Sequence, residues 1–418
     1  MSLDQIQSLD PARAATPSEV ALPAATRASA IFMHAGWRSC GTWLWETLRD
    51  SPTVRAYYEP LHEGLGSLDR PAIGDFRPDS WGSGHGGGAP YFAEFAAHLS
   101  TRGRGVEGYQ QRFAFDDFFT PPGRDDPALR AYLSRLVLSA HGEGRLPVLK
   151  FCRSLGRVAW MRAQFPDALH VVMLRDPVAQ WRSARLQMER DANHYFVLAP
   201  FLILGRNAAH PLLVDALRRL DVSLPPRLSG EPGVILTTTW RHVQKLSWAE
   251  RYRAFLALWA VTAVTALASG ADVVDADLLT SDAAHRRDVA GLLGEAAGVH
   301  LDLPVAQGHG PLAWLGSADE AEDAARAALT ALGFVVEHRA LLAPERARML
   351  TRKLRPRFQP PAGDTLPMLT RAALPPPAPA RRPPAAVRYV DAAAYLVLAR
   401  ASYPLRRAHF HVRRWLDR

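Results

Sequence analysis

Residues 30 to 49 constrain the chain more than any other stretch. Ala30-Ile31-Phe32-Met33-His34-Ala35 is an apolar run of strand length, and Gly36-Trp37-Arg38-Ser39-Cys40-Gly41-Thr42 is a turn bounded by two glycines. Trp43-Leu44-Trp45-Glu46-Thr47-Leu48-Arg49 then reads as a helix. A strand, a glycine-bounded turn and a helix make a phosphate cradle, because the free N–H groups of the turn and the positive end of the helix dipole converge on one anion. The spacing Gly-x-x-x-x-Gly-Thr is the P-loop frame with its lysine missing. With Thr42 directly after Gly41, the loop suits a phosphate-like group and not Mg-ATP.

The remainder of the chain places this loop in a parallel sheet. Thr53 to Tyr58, Leu146 to Phe151, Leu169 to Leu174 and Ala271 to Val274 read as further strands, the third of them apolar enough to be buried on both faces. Between them lie helical patterns. One opens at Asp126-Pro127, an N-cap followed by proline in the first turn. Another is a long helix from Ser247 to Leu267, where Ser247 and Glu250 match a capping box. Residues 63–90 are rich in Gly, Asp and Pro and are expected to be loop. Strands alternating with helices give a doubly wound α/β fold, a P-loop-like parallel sheet flanked by helices, whose ligands sit beyond the carboxyl ends of the strands. The 36–42 loop, Glu59, Lys150 and Arg175 all fall at or just after such ends.

The expected organisation is a disordered segment over 1–28, an α/β domain over 29–345 with a helical insertion at about 194–267, a Pro-rich linker over 346–387 and a basic amphipathic helical tail over 388–418. The tail holds seven arginines against Asp391 and Asp417, so more than half of the net charge of +9 sits there. That makes it the candidate for a protein contact or for peripheral contact with the inner membrane. Only three of the 50 basic residues are lysine (Lys150, Lys245 and Lys353), which together with the abundance of Ala and Pro reads as coding bias and not as a nucleic-acid surface. Cys40 and Cys152, the only cysteines, lack zinc spacing and are too few for a disulfide framework. The N-terminal stretch carries no signal-peptide pattern and no run reaches membrane-span length, so the expected compartment is the cytoplasm.

A second run, Arg175-Asp176-Pro177-Val178-Ala179-Gln180-Trp181-Arg182-Ser183, puts an arginine at a strand end and a serine two helical turns on. The pair can grip one phosphate, the guanidinium by a bidentate charge-assisted contact and the hydroxyl by a further donor. Two anion sites on one sheet edge are what a nucleotide phosphorylated at both ends of its ribose would need.

With these two runs the chain resembles the sulfotransferase family, whose sulfuryl donor is 3′-phosphoadenosine-5′-phosphosulfate (PAPS). Arg38 to Leu44 is similar to that family's 5′-phosphosulfate loop and Arg175 to Ser183 to its 3′-phosphate motif. Tyr58-Glu59-Pro60-Leu61 is similar to a segment of carbohydrate sulfotransferases. The resemblance covers about residues 31–190 and extends loosely to Val274-Asp275-Ala276-Asp277-Leu278. It implies that Arg38 holds the sulfonate and bridging region, and that Ser39, Cys40, Gly41 and Thr42 hold the 5′-phosphate. Trp43 would stack on adenine, and Arg175 and Ser183 would hold the 3′-phosphate. Lys150 and Arg38 would offset charge on the bridging oxygen, and Glu59, its pKa raised by burial, would be the general base. Two positions depart from the family pattern. Cys40 stands where glycine is common, and Cys152 stands where small-molecule sulfotransferases carry a histidine base two residues after the lysine. The expected function is a bacterial PAPS-dependent transfer of a sulfuryl group to a hydroxyl of a carbohydrate or glycolipid-like, lipid-linked acceptor, without a metal. The alternatives are a P-loop kinase or NTPase and a non-catalytic nucleotide-binding assembly protein.

Overall fold

The computed structural model describes residues 28–77, 88–191, 193–226, 232–306 and 316–355. All five expected strands form: β1 (Ile31–Ala35), β2 (Val54–Tyr58), β3 (Leu146–Phe151), β4 (Leu169–Leu174) and β5 (Asp272–Asp275). They make one sheet in the order β2-β3-β1-β4-β5, every pair parallel. The central strand is the first in sequence. From it the chain builds one side of the sheet and then the other, so the direction of winding reverses beside β1. The turn after β1 therefore lies in the crevice where the connections diverge, the place where open α/β sheets bind ligands.

Fourteen α-helices lie among the described residues. The first seven are α1 (Gly41–Arg49), α2 (Arg70–Asp75), α3 (Arg112–Phe115), α4 (Pro127–Gly142), α5 (Val158–Gln164), α6 (Pro177–Asp191) and α7 (Tyr195–Asn207). The others are α8 (Pro211–Arg219), α9 (Pro232–Lys245), α10 (Trp248–Ala268), α11 (Leu278–Ser281), α12 (Ala283–Ala297), α13 (Ala318–Glu337) and α14 (Pro344–Leu354). β4 shows how the layers divide. Val171 and Met173 join a core with α1, α4 and α12, whereas Val172 and Leu174 join a second core with α7, α8, α10 and α13. Alternate residues of a strand face opposite ways, so the sheet is covered on both sides and a nearly continuous apolar strand results. α10 is buried at 16 of its 21 residues, through the Ser247–Glu250 capping box to Leu267, as expected of a helix that is apolar all round.

Two expectations are corrected. Residues 63–77 are not simply loop: a 3-10 turn spans Glu63–Ser67 and α2 follows, its first turn capped by Asp69, which accepts from the Ala72 N–H at 2.8 Å. Asp69-Arg70-Pro71 is nearly the same start signal as Asp126-Pro127 at α4, obscured by the surrounding glycines. The boundary expected at 345 falls inside α14, whose Leu350 and Leu354 belong to the second core, so the folded unit runs past it. Of the segment expected over 1–28, residues 1–27 lie outside the described residues, as do the rest of the linker and the basic tail.

A buried imidazole chain crosses the sheet. His170 Nε2 lies 3.0 Å from the Phe165 carbonyl, His34 Nε2 lies 3.1 Å from His170 Nδ1, and His34 Nδ1 lies 2.8 Å from the Ser154 hydroxyl. A carbonyl only accepts, so His170 must carry a proton on Nε2. With His170 neutral, His34 donates to His170, and Ser154 donates to His34. With both rings neutral every hydrogen bond in the chain is made, and burial favours that state. Burial, followed by the mutual repulsion of the two rings, holds His34 well below its ordinary value, and burial brings His170 down to about 4. Between about 4 and the ordinary value near 6.5 the unfolded chain binds more protons than the folded one, so stability is fully present above that window and is lost as pH falls through it. Urea unfolding at successive pH values should show the free energy dropping by up to about 1.4 kcal/mol per pH unit for each such histidine below pH ~6.5. A flat profile between pH 6.5 and 4.5 would mean that these rings are not neutral in the folded protein.

Candidate active site

The loop after β1 is held by its carbonyls. Gln180 donates from Nε2 to Trp37 O at 2.6 Å, Arg175 from Nη1 to Arg38 O at 2.7 Å, and Ser39 from Oγ to Gly36 O at 2.6 Å. With Arg38 at φ 63° and Cys40 at φ 66°, successive residues alternate in and out of the left-handed region, the geometry that turns consecutive N–H groups to one side. Cys40 is the N-cap of α1 but offers no side-chain cap, and no acidic residue occupies the first turn. The N-terminus of α1 is thus available to an anion. Both glycines have steric reasons. A Cβ on Gly36 would sit 2.6 Å from Gln180 Nε2, and one on Gly41 would sit 2.8 Å from Ala35 Cβ and 3.1 Å from Lys150 Cε. Cys40 therefore does not stop the loop closing. It occupies a backbone conformation that favours glycine, at a cost of about 1–2 kcal/mol.

The second expected grip is contiguous with the first. Arg38 donates from Nε to Ser183 Oγ at 2.9 Å and lays its guanidinium 5.1 Å from the Phe196 ring centre. Arg175, which is buried, makes no ion pair among the described residues and holds the loop through Arg38 O. Burial, and after it the neighbouring Arg175, lowers the pKa of Arg38, the signature of two cations held close together in a desolvated place. Arg38 was expected at the sulfonate end. Here its side chain turns toward Ser183 and joins the two sites.

Lys150 and Glu59 form an adjacent buried cluster. Glu59 Oε1 accepts from Lys150 Nζ at 2.5 Å, and Oε2 accepts from Arg153 Nη1 at 2.8 Å and from the Cys152 N–H at 2.9 Å. Burial alone would raise the Glu59 pKa, but Lys150 and Arg153 overcome it and bring the carboxyl down to about 2. The expected upward shift is therefore reversed: a carboxylate with three donors and two cations on it holds a proton poorly. Burial opposes the charge of Lys150, yet Cys152 and Glu59 raise its pKa well above the ordinary value, so it stays an ammonium. Lys150 Nζ also lies 3.1 Å from Cys152 Sγ and 4.4 Å from the Tyr58 ring centre. Burial, then Glu59, pushes the Cys152 thiol up to about 12, so it does not replace a histidine base. Tyr58 links this cluster to the loop, its hydroxyl 3.3 Å from Thr42 Oγ1. Arg153 is an ion-pair residue, held by Glu59 and by Glu63 at 2.6 Å and touching the Tyr195 hydroxyl.

Loop, Arg175, Ser183, Lys150 and Glu59 are thus brought together at one sheet edge. Trp43 is half-buried against the core that contains α1. A pocket adjoins the loop on the α10 side, with Phe118, Phe196, Leu258 and Trp259 among its apolar walls and Arg38 and Arg175 also lining it. Gln180 and Tyr58 lie inside the two quoted segments, but nothing in the sequence marks the contacts they make to the loop. His62 packs its ring against Phe92 and Tyr195, and burial lowers its pKa to about 4.

No protein-family model and no curated protein matches the chain. Among solved structures, the chain is similar to a crystal structure of a sulfotransferase from Alicyclobacillus acidocaldarius. The identity is 16%, with 76% of this chain and 98% of that chain covered and a TM-score of 0.33.

The Lys150–Glu59 pair should behave as a coupled unit. Glu59→Gln leaves a buried ammonium without its counter-charge and should cost about 3–5 kcal/mol in urea unfolding. Lys150→Met should cost a similar amount. The double variant should be clearly less destabilised than the sum, since Arg153 retains Glu63. Strict additivity would show that the two side chains do not share one interaction.

Proposed function

We propose that the protein is a PAPS-dependent sulfotransferase acting on a hydroxyl acceptor. The observation that carries this reading is the pairing of an uncapped helix N-terminus with a second cationic grip, Arg175 and Ser183, joined to it by Arg38. A nucleoside triphosphate presents its phosphates in one row. A 3′,5′-phosphorylated adenosine presents two separate anions, which suits two grips. The residues fit such a nucleotide because Arg175 is buried without an ion-pair partner among the described residues and the α1 N-terminus lacks a side-chain acceptor.

PAPS supplies an activated sulfuryl group on a phosphate leaving group. In the transfer the acceptor oxygen bonds to sulfur as the bond from sulfur to the bridging oxygen breaks. The acceptor proton passes to solvent water, and a sulfate ester and adenosine 3′,5′-bisphosphate result. In this reading the N–H groups of Ser39 to Thr42 hold the 5′-phosphate, and Arg175 and Ser183 hold the 3′-phosphate. Trp43 contributes to the adenine site. Lys150, fixed as an ammonium, and Arg38 stabilise the charge that develops on the leaving oxygen, the dominant need in a loose, in-line transfer. Glu59 aims and charges Lys150; a carboxyl held at about 2 is a weak proton acceptor. The carbohydrate reading of the acceptor rests on the Tyr58 to Leu61 segment. The apolar pocket beside Arg38 favours an acceptor that carries an apolar portion with its hydroxyl, a glycolipid-like compound rather than a free sugar.

Thermal shift distinguishes the readings. Adenosine 3′,5′-bisphosphate at a hundredfold excess over its Kd should raise Tm by about 5 °C, well above 5′-AMP or ATP with Mg²⁺. Arg175→Ala should erase the preference for the bisphosphate over 5′-AMP while leaving residual binding of both. Greatest stabilisation by ATP with Mg²⁺ would favour the kinase or NTPase reading instead.

A further inference from the structure

Lys353, one of three lysines in the chain, sits in the last turn of α14 and is buried. Its Nζ donates to Asp275 Oδ1 at 2.6 Å and to Asp277 Oδ2 at 2.5 Å, at the end of β5. Asp277 Oδ2 also accepts from the Asp176 N–H at 2.8 Å, and the Asp277 N–H donates to Asp275 Oδ1 at 3.1 Å. Asp176 in turn caps α6, accepting from the N–H groups of Val178 at 2.8 Å and Ala179 at 3.1 Å. A single ammonium thus closes a chain of contacts that begins in α14, passes the end of β5 and stops at the residue directly after Arg175.

The charges make this arrangement consequential. Asp176, Asp275 and Asp277 place three carboxyl groups behind an edge that is otherwise built to attract anions. Asp277 is close enough for its charge to be felt at Cys40 in the loop and at Asp176. Unopposed, these groups would repel a phosphate held by Arg175. We propose that Lys353 is a positioning residue for the second anion grip, holding Asp277 against the Asp176 backbone and cancelling the carboxylate field behind Arg175. The proposal rests on the nucleotide reading of the site, and it gives α14, remote in sequence from both motifs, a part in ligand affinity.

Titration calorimetry with adenosine 3′,5′-bisphosphate tests it on the full chain. Lys353→Met should weaken binding about tenfold. Adding Asp277→Asn, which keeps an oxygen to accept from the Asp176 N–H but removes the charge, should restore affinity to within about threefold of the unsubstituted protein. Loss of packing would not be rescued in this way, so failure of the rescue overturns the proposal. So does unchanged affinity in a cooperatively folded Lys353→Met variant. Should that variant not fold, Asp275→Asn leaves Lys353 held by Asp277 with one fewer opposing charge and should tighten binding about threefold; no tightening overturns the proposal. If the unsubstituted protein fails to bind the bisphosphate, the nucleotide reading falls and this proposal with it, whereas tight binding that ignores Lys353 removes only the latter.

Discussion

The hydrogen bond from Arg175 to the carbonyl of Arg38 is the contact on which the rest of the site depends. It exists because β1 and β4 are neighbours and parallel, with Ala35 opposite Met173. Continuing that register puts Arg175 level with Trp37, one residue short of the carbonyl it reaches. A slip of one residue would exchange the two faces of β4 and send its side chains into the wrong cores. The two hydrophobic cores therefore do more than stabilise the sheet. By fixing the register they aim a guanidinium at a loop 137 residues away in sequence.

The same logic operates on the other side of β1. β2 and β3 pair with Tyr58 opposite Lys150, and the Glu59 N–H donates to Lys150 O at 2.8 Å. That backbone bond sets Glu59 beside Lys150 before their side chains meet. The ion pair then has a fixed geometry and a full set of donors, which is the condition under which a buried pair can be tolerated. Arg153 extends it to Glu63, so each buried charge in the group has an opposite neighbour.

Much of this was legible in the sequence. The strands announced themselves as short apolar runs, and the two runs proposed to hold anions as strand ends followed by helix starts with small or basic residues. What was not legible depended on pairing across long separations. Nothing local to Glu59 shows that two cations will reach it, so an argument from burial alone gave the wrong direction for its pKa. Arg38 was assigned by its place in the loop, but its side chain is placed by Ser183 on another helix. Lys353 had only its rarity to mark it, because the carboxylates it joins lie 76 and 78 residues away. α2 was hidden by composition: a glycine-rich setting outweighed a sound Asp-and-Pro start signal.

The left-handed residues of the site have a kinetic meaning as well as a steric one. Arg38, Cys40 and Glu59 all adopt positive φ while carrying side chains. Glycine would reach these angles with less strain, but it would also visit many others. Side chains at Arg38 and Cys40 narrow the set of conformations open to the loop once the fold has imposed this one, and Glu59 does the same for the turn after β2. The strain, about 1–2 kcal/mol at each position, is borne by folding and not by ligand capture. A loop so prepared has little ordering left to do when an anion arrives, and its encounter with ligand should resemble docking onto a rigid surface more than the closing of a flexible strand.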